Sequence, residues 1–395
     1  MKLRPTGPTF GLTLRGMLVI TALLAVGMAF VGTKVNRARN EQAIANEITR
    51  SGGSFQRQSY GMAASTTDRT WFERWLDLDL EARIVQVSLG GWEVTDADVQ
   101  RLAGLSDLAH LSLTSCNLDG TSLAALEGLP HLTAIAVSGS ALTDEGIAAL
   151  GRLPAVERLS IDAHGGRAGF ALRLTDAGLA QLKHLKSLRH LALGTSQFTD
   201  DRLRALSGLA QIEVLVLSRT GLTDAGLPEM LDGLTGLRSL NIQNAMVTGP
   251  GLAKLRDCPR LLSLRLSCPL TDDSLTYLAN VRQLAQLDIG GASGLMLTDK
   301  GLAHLEQLTN LTQLSLNGSR FGDAGLQHLS RLTALVDVQL EPAKAEFTYQ
   351  GLKYLESLTN LKTLRLTTGA DVPVKLSPAA IYDLQRAVPG LIVQQ

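Results

Sequence analysis

From Ile84 to the C-terminus, apolar and polar positions recur with a period of about 24 residues. Each unit reads L-x-x-L-x-L, a small residue, and then L-T-D-x-G-L-x-x-L. Clear copies are "LAHLSLTSCNLDGTSLAAL", "LTAIAVSGSALTDEGIAAL", "IEVLVLSRTGLTDAGLPEM" and "LTQLSLNGSRFGDAGLQHL". The alternating apolar pair predicts a buried strand, with one set of side chains inward and the next outward. Twelve such pairs run from Val87/Leu89 to Leu364/Leu366. Thr143, Thr175, Thr199, Thr223, Thr271 and Thr298 stand where a hydroxyl caps the free amides of a short helix. The Asp that follows most of them suits the positive end of that helix. No unit can bury its apolar face alone, so the coils must stack, and a fixed period of this length is the signature of a solenoid. One elongated body is expected, rather than two or three ordinary domains.

The pattern changes before the first repeat. Gly16 to Thr33, "GMLVITALLAVGMAFVGT", carries no charge, and as a helix it rises about 27 Å, close to the thickness of a bilayer core. Residues 1–15 form a short basic tail, 16–33 a transmembrane helix, 34–82 a connector with an N-terminal cap, and 83–395 the repeat domain. The alternative for the apolar run is a cleaved signal peptide, with Gly27-Met28-Ala29 as the cleavage site. The basic cluster Lys34, Arg37 and Arg39 favours retention. Basic residues flank the run on both sides, so the positive-inside rule decides little. The short tail leans towards repeats outside the cytoplasm. Within the connector, "SFQRQSY" predicts a short strand and "WFERWLDLDL" a short amphipathic helix. Trp71, Phe72, Trp75 and Leu76 would cover the open end of the solenoid, or alternatively touch the membrane surface.

Composition narrows the function. The 395 residues carry 37 basic and 37 acidic side chains, and aromatic residues are only 4%. With no basic tract either, nucleic-acid binding is not expected. Cys116, Cys258 and Cys268 are too few for a disulfide framework. The spacing permits a Cys258–Cys268 bridge without demanding one. No Cys-x-x-Cys or His-x-x-x-His pattern suggests a metal site, and no cofactor is expected. His110 and His190 occupy equivalent outward strand positions three strands apart, about 14 Å, and cannot share one ligand. His304 and His328 fall on helices, on the convex side. No nucleophile–base set emerges, so neither an enzyme nor a small-molecule substrate is expected.

The chain resembles the leucine-rich repeat family over residues 84 to about 394, carried by "LTDAGL" and its equivalents. The short helical units are similar to ribonuclease-inhibitor-type repeats. An apolar span followed by "RAR", "AIANEITRSGGSFQRQ" and "RIVQVSLGG" resembles the membrane-anchored leucine-rich repeat proteins of planctomycete-type bacteria. The resemblance implies an α/β fold: a right-handed horseshoe of about 12 parallel strands with short convex helices, preceded by one transmembrane helix. It also implies a protein-binding role and supplies no catalytic residue. Cys116 occupies the place where the family motif has Asn or Cys, and a hydrogen bond to the turn backbone is expected there.

Outward strand positions form the concave face, where solenoids usually bind. They are small or apolar in the N-terminal half, at Ala134, Ala136, Ala192, Val214 and Val216, and polar or charged in the C-terminal half. Arg158, His190, Val214, Val216, Arg265, Asp288, Asp337 and Arg365 are the candidate contacts for a protein partner. Arg265 and Asp288, on neighbouring strands, would pair with each other. The longest internal insertion, "DAHGGRAGFALR", adds His164, Arg167 and Phe170 as candidate loop contacts. The expected function is a non-catalytic, membrane-tethered protein-binding module. The alternatives are a substrate-recognition subunit of a ubiquitin-ligase-like system, for which the connector lacks a catalytic Cys, and a passive structural envelope protein.

Overall fold

A computed structural model describes residues 14–59, 80, 82–91, 93–163, 174–291, 295–341, 348–366 and 378–394. Helix α1 (Leu14–Arg50) is followed by strands β1 (Ser54–Ser59), β2 (Ala82–Gly90), β3 (His110–Thr114), β4 (Ala134–Ser138), β5 (Arg158–Asp162), β6 (His190–Gly194) and β7 (Val214–Ser218). Then come β8 (Ser239–Gln243), β9 (Ser263–Ser267), β10 (Gln286–Ile289), β11 (Gln313–Asn317), β12 (Asp337–Glu341), β13 (Thr363–Leu366) and β14 (Ile392–Gln394). All 14 strands form one sheet in sequence order. The strands β2 to β14 pair in parallel, each joined to the next by short helical turns. The twelve alternating pairs of the sequence are β2 to β13. The sheet is extended by β14 at one end and at the other by β1, which pairs antiparallel with β2.

Register is unbroken across the solenoid. Leu111, Ile135, Leu159, Leu191, Leu215, Leu240 and Leu264 align strand to strand, so each apolar row stacks into a continuous core. One cluster of buried side chains runs from Ile44 to Leu391. Phe198 and Phe321 replace aliphatic side chains in it and are fully buried. Burial of each such side chain contributes about 1.5–3 kcal/mol, shared between neighbouring coils.

The Thr-Asp step caps its own turn and, beyond that expected role, links neighbouring coils. Thr143, Thr175, Thr223, Thr298 and Thr348 accept hydrogen bonds from amides of their own turns, whereas Thr199 makes no such cap bond. The carboxylate that follows reaches forward to the next coil. Asp144 accepts from the amide and hydroxyl of Thr175, and Asp200 does the same for Thr223. Asp272 does so for Thr298 and Asp323 for Thr348, while Asp299 takes the amide of Gly322. The glycine of T-D-x-G makes room for the carboxylate of the preceding coil: a Cβ at Gly178 would lie 2.0 Å from Asp144 Oδ1, and one at Gly226 2.1 Å from Asp200 Oδ1.

Departures from the rule obey the same geometry, as two coils show. Arg202 stands where the glycine would be, and Asp176 of the coil before makes only a 3.9 Å contact with it. The coil at Thr248 has Gly249 in the aspartate's place, and the next coil's Ser274 supplies the missing oxygen by accepting from Thr271 N.

Helix α1 is continuous across position 33, where the apolar run ends. Its exposed first half is long and apolar enough to cross a membrane, with a mean hydropathy of 2.0. The second half packs on the solenoid: Ala45 and Ile48 enter the main core, and buried Glu41 accepts the Ile84 amide at 3.3 Å. Val35, Ala38 and Leu80 form a small second cluster. Among the described residues, α1 and β1 therefore cover the first coil; Trp71, Phe72, Trp75 and Leu76 lie outside those residues.

Candidate functional site

The outward positions of the strands make two long rows. The first runs Gln86, His110, Ala134, Arg158, His190, Val214, Ser239 and onward to Thr363. The second runs Ser88, Ser112, Ala136, Ser160, Ala192, Val216, Asn241, Arg265, Asp288 and onward to Arg365. Strand alternation places these residues on the same face while the leucines between them point into the core. Their chemistry changes sharply between β7 and β8, and the face carries two hollows with different linings.

The N-terminal hollow has a volume of about 300 Å³. Its floor is Ala134, Ala136, Ala192, Val214 and Val216, and Arg158, His110 and His190 also line it. Arg158 and His190 are exposed and sit opposite one another on adjacent strands. Among the described residues, no carboxylate lines this hollow. The sequence set His110 and His190 apart as too distant to share one ligand atom. They are three strands apart, yet both line this hollow.

The C-terminal hollow, of about 390 Å³, is lined by polar residues that include Arg265, Asp288, Asp337 and Arg365. Its charges neutralise one another. Arg265 Nε donates to Asp288 Oδ2 at 2.8 Å, the pairing expected from their neighbouring strands. Arg365 Nη1 donates to both oxygens of Asp337, at 2.9 and 3.1 Å, and its Nε donates to Gln394. The second pairing, between diagonal neighbours of different rows, was not anticipated from the sequence. Exposed pairs of this kind contribute little to stability, but they hold both side chains in place.

The eight concave candidates thus fall into two groups: Arg158, His190, Val214 and Val216 line one hollow, and Arg265, Asp288, Asp337 and Arg365 the other. His110, Ser160 and Gln313 were not among the candidates and share these linings. The signal that locates them was the register itself, which puts every outward residue of a row on the same surface. His164, Arg167 and Phe170 lie outside the described residues.

The cysteines are structural. All three are free and buried. The Cys258–Cys268 bridge permitted by spacing is therefore not formed. Cys116 Sγ lies 3.6 Å from the Leu89 carbonyl, and Cys268 Sγ lies 3.7 Å from that of Ile242, each spanning one coil. The Cys116 amide donates to Ser140 Oγ, so the turn position does hold a backbone hydrogen bond. Burial pushes all three thiols up to about 11, which leaves them without thiolate character at neutral pH. Away from the concave face, His328 Nδ1 contacts Glu306 at 2.6 Å on the helical side. Among the described residues, no group of three or more His, Cys, Asp or Glu side chains could hold a metal ion.

Coils of parallel strand and short helix, repeating L-x-L and L-T-D-x-G-L, define a leucine-rich repeat solenoid preceded by one apolar helix. The "Leucine Rich repeat" family model matches at residues 128–151 and 307–330, two single coils. The match thus covers two coils, and the fold around them is a leucine-rich repeat solenoid. No curated protein matches its sequence. Among solved structures, it is similar to an internalin from Listeria monocytogenes, at 19% identity over 79% of this chain and 86% of that one, with a TM-score of 0.48. It is also similar to the plant peptide hormone receptor RGFR1 in complex with RGF2, at 17% identity over 71% of this chain and 42% of that one, with a TM-score of 0.40.

Proposed function

We propose that this chain is a non-catalytic protein-binding module, tethered to a membrane by the apolar half of α1, that engages its partner on the concave strand face. The observation that carries the reading is the apolar hollow over β3 to β7. Half-buried Ala and Val side chains lie side by side there on the outward face, rimmed by polar groups, as contact patches do. Arg158, His190, Val214 and Val216 form the first half of the binding face, and Arg265, Asp288, Asp337 and Arg365 the second. His164, Arg167 and Phe170, in the sequence insertion after β5, are proposed as further contacts. In this reading the apolar run is retained as an anchor and the repeats lie outside the cytoplasm. The likeness to the membrane-anchored planctomycete-type family, with ribonuclease-inhibitor-like units, belongs to the same proposal.

The test is site-specific photocrosslinking in cells, with a photoreactive residue at Ala136 or Val216 and, as control, at His304 on the helical side. Protein adducts formed from the concave positions and absent from the control are expected. Equal labelling from both faces, or none, would return the chain to a passive structural role. C-terminal alkaline phosphatase and fluorescent-protein fusions check the orientation: phosphatase activity with a dark fluorescent fusion is expected.

A further inference from the structure

The two hollows differ in how their charges are satisfied. In the C-terminal hollow, each of the two arginines has an acidic partner within hydrogen-bond distance. In the N-terminal hollow, the Arg158 side chain makes no hydrogen bond or ion pair among the described residues, and the same is true of the His110 and His190 side chains. Glu157, the carboxylate nearest in sequence, belongs to the row just before the strands together with Arg189, Glu213 and Arg238. Glu213 there contacts Arg189 at 3.9 Å and Arg238 at 3.4 Å. Arg158 therefore stands as an uncompensated guanidinium beside an apolar floor, in a lining that contains no acid.

A guanidinium is always charged, and its fork of donors matches a carboxylate. The apolar floor next to it selects for an aliphatic or aromatic side chain rather than a bare anion. The hollow draws its lining from six adjacent strands, β2 to β7, and the outward rows continue beyond it into the polar hollow. A chain running along the face fits this arrangement better than a chain end. The volume of about 300 Å³ holds one or two side chains, not a folded domain.

Resting on the protein-binding reading above, we infer that the N-terminal hollow takes an extended segment of a partner protein in which an Asp or Glu is flanked by apolar residues. The side-chain carboxylate is held by Arg158 between His110 and His190, and the apolar neighbours lie on Ala136, Val214 and Val216.

The experiment is selection of a random peptide library displayed on phage against the full chain in lipid nanodiscs, in parallel for the unaltered chain, Arg158→Gln, Arg158→Asp and Lys300→Gln. The expected outcome is enrichment of peptides with a carboxylate within two positions of a large apolar residue. The best of these, made synthetically, should bind Arg158→Gln about tenfold to hundredfold more weakly, the range for one charge-assisted contact. Lys300→Gln, an exposed change on the helical side, should leave the selection unchanged, and Arg158→Asp should shift it towards Lys and Arg. Arg158 is exposed, and matching circular dichroism and unfolding midpoints would show that the variants fold.

Neutral or basic peptides from the unaltered chain, or the same peptides from Arg158→Gln, would overturn the inference. So would an absence of enrichment, or self-association of the chain that Arg158→Gln abolishes, which would assign the hollow to a second copy. Concave-face adducts in the crosslinking experiment would survive any of these results, so failure here is distinguishable from failure of the protein-binding reading.

Discussion

Alanine in place of Gly301 puts the coil-to-coil ladder to a quantitative test. The new Cβ would lie 2.4 Å from Asp272 Oδ1 and 3.1 Å from its Cα, inside ordinary contact distance. The carboxylate would have to swing away and release the Thr298 amide at 2.7 Å and the Thr298 hydroxyl at 2.6 Å. Two hydrogen bonds to a charged group at about 1.5–3 kcal/mol each, less about 1 kcal/mol regained from the better helix former, give a net loss of about 2–5 kcal/mol. On propensity alone the same change would stabilise the chain, so the two accounts predict opposite signs. Urea unfolding of Gly301→Ala, Asp272→Ala and the double variant, followed by circular dichroism, forms the cycle. With Asp272 removed the clash is gone, and Gly301→Ala should then be neutral or stabilising. An equal loss in both backgrounds, or none in either, would refute the steric argument.

Two further predictions follow from the chemistry of buried groups. Cys116, Cys258 and Cys268, with thiols near 11 and no exposure, should react with a thiol reagent at neutral pH only as fast as the solenoid unfolds; rapid labelling of the native chain would contradict their placement. At Asp224, burial pushes the carboxyl up, but hydrogen bonds from the Thr248 hydroxyl and the amides of Gly251, Thr248 and Gly249 outweigh it and leave it below the ordinary value. Its stabilising contribution is therefore complete above the unfolded value of about 3.9 and is lost as pH falls through the folded one. The stability gap between the chain and Asp224→Asn should close in that acid window, and a gap unchanged by acid would rule this out.

Much of the fold is legible because the repeat over-determines it. The period fixes β2 to β13, and strand alternation fixes which residues face outward. The role of Asp144 or Asp272 was less visible. A helix N-terminus accounts for an aspartate after threonine so readily that its reach into the next coil leaves no separate trace in one unit. The trace lies between units, in the glycine that must follow one coil later and in Gly249 and Ser274, where the aspartate and the next coil's glycine are replaced together. The first-coil cover is legible only in part: the stretch after Val35 continues α1 without a break and packs on the solenoid, while the connector's aromatic residues lie outside the described residues. For the concave face, the rows were readable but the pairings were not. Arg158 and Arg365 look alike in sequence, and only the register shows that one has a carboxylate beside it and the other does not.

The ladder also tells the chain where to begin and where to stop. Every rung runs from a carboxylate in one coil to a threonine or glycine amide in the next, so an unfinished stack would offer a vacant acceptor at one end and a vacant notch at the other. Neither end is left in that state. In the first coil, Asp98 fills the glycine position, and its own carboxylate takes the Thr95 amide and hydroxyl, both at 2.9 Å. In the last coil, Tyr349 replaces the aspartate, and its hydroxyl donates sideways to Asp383 of the closing helix Pro378–Ala387 at 2.8 Å. Another copy stacking head to tail would find no carboxylate to receive and no notch to enter. The phrase that links neighbouring coils is altered at its first and last use, so the terminal coils turn these side chains onto their own turn and onto the closing helix instead of onto a further coil.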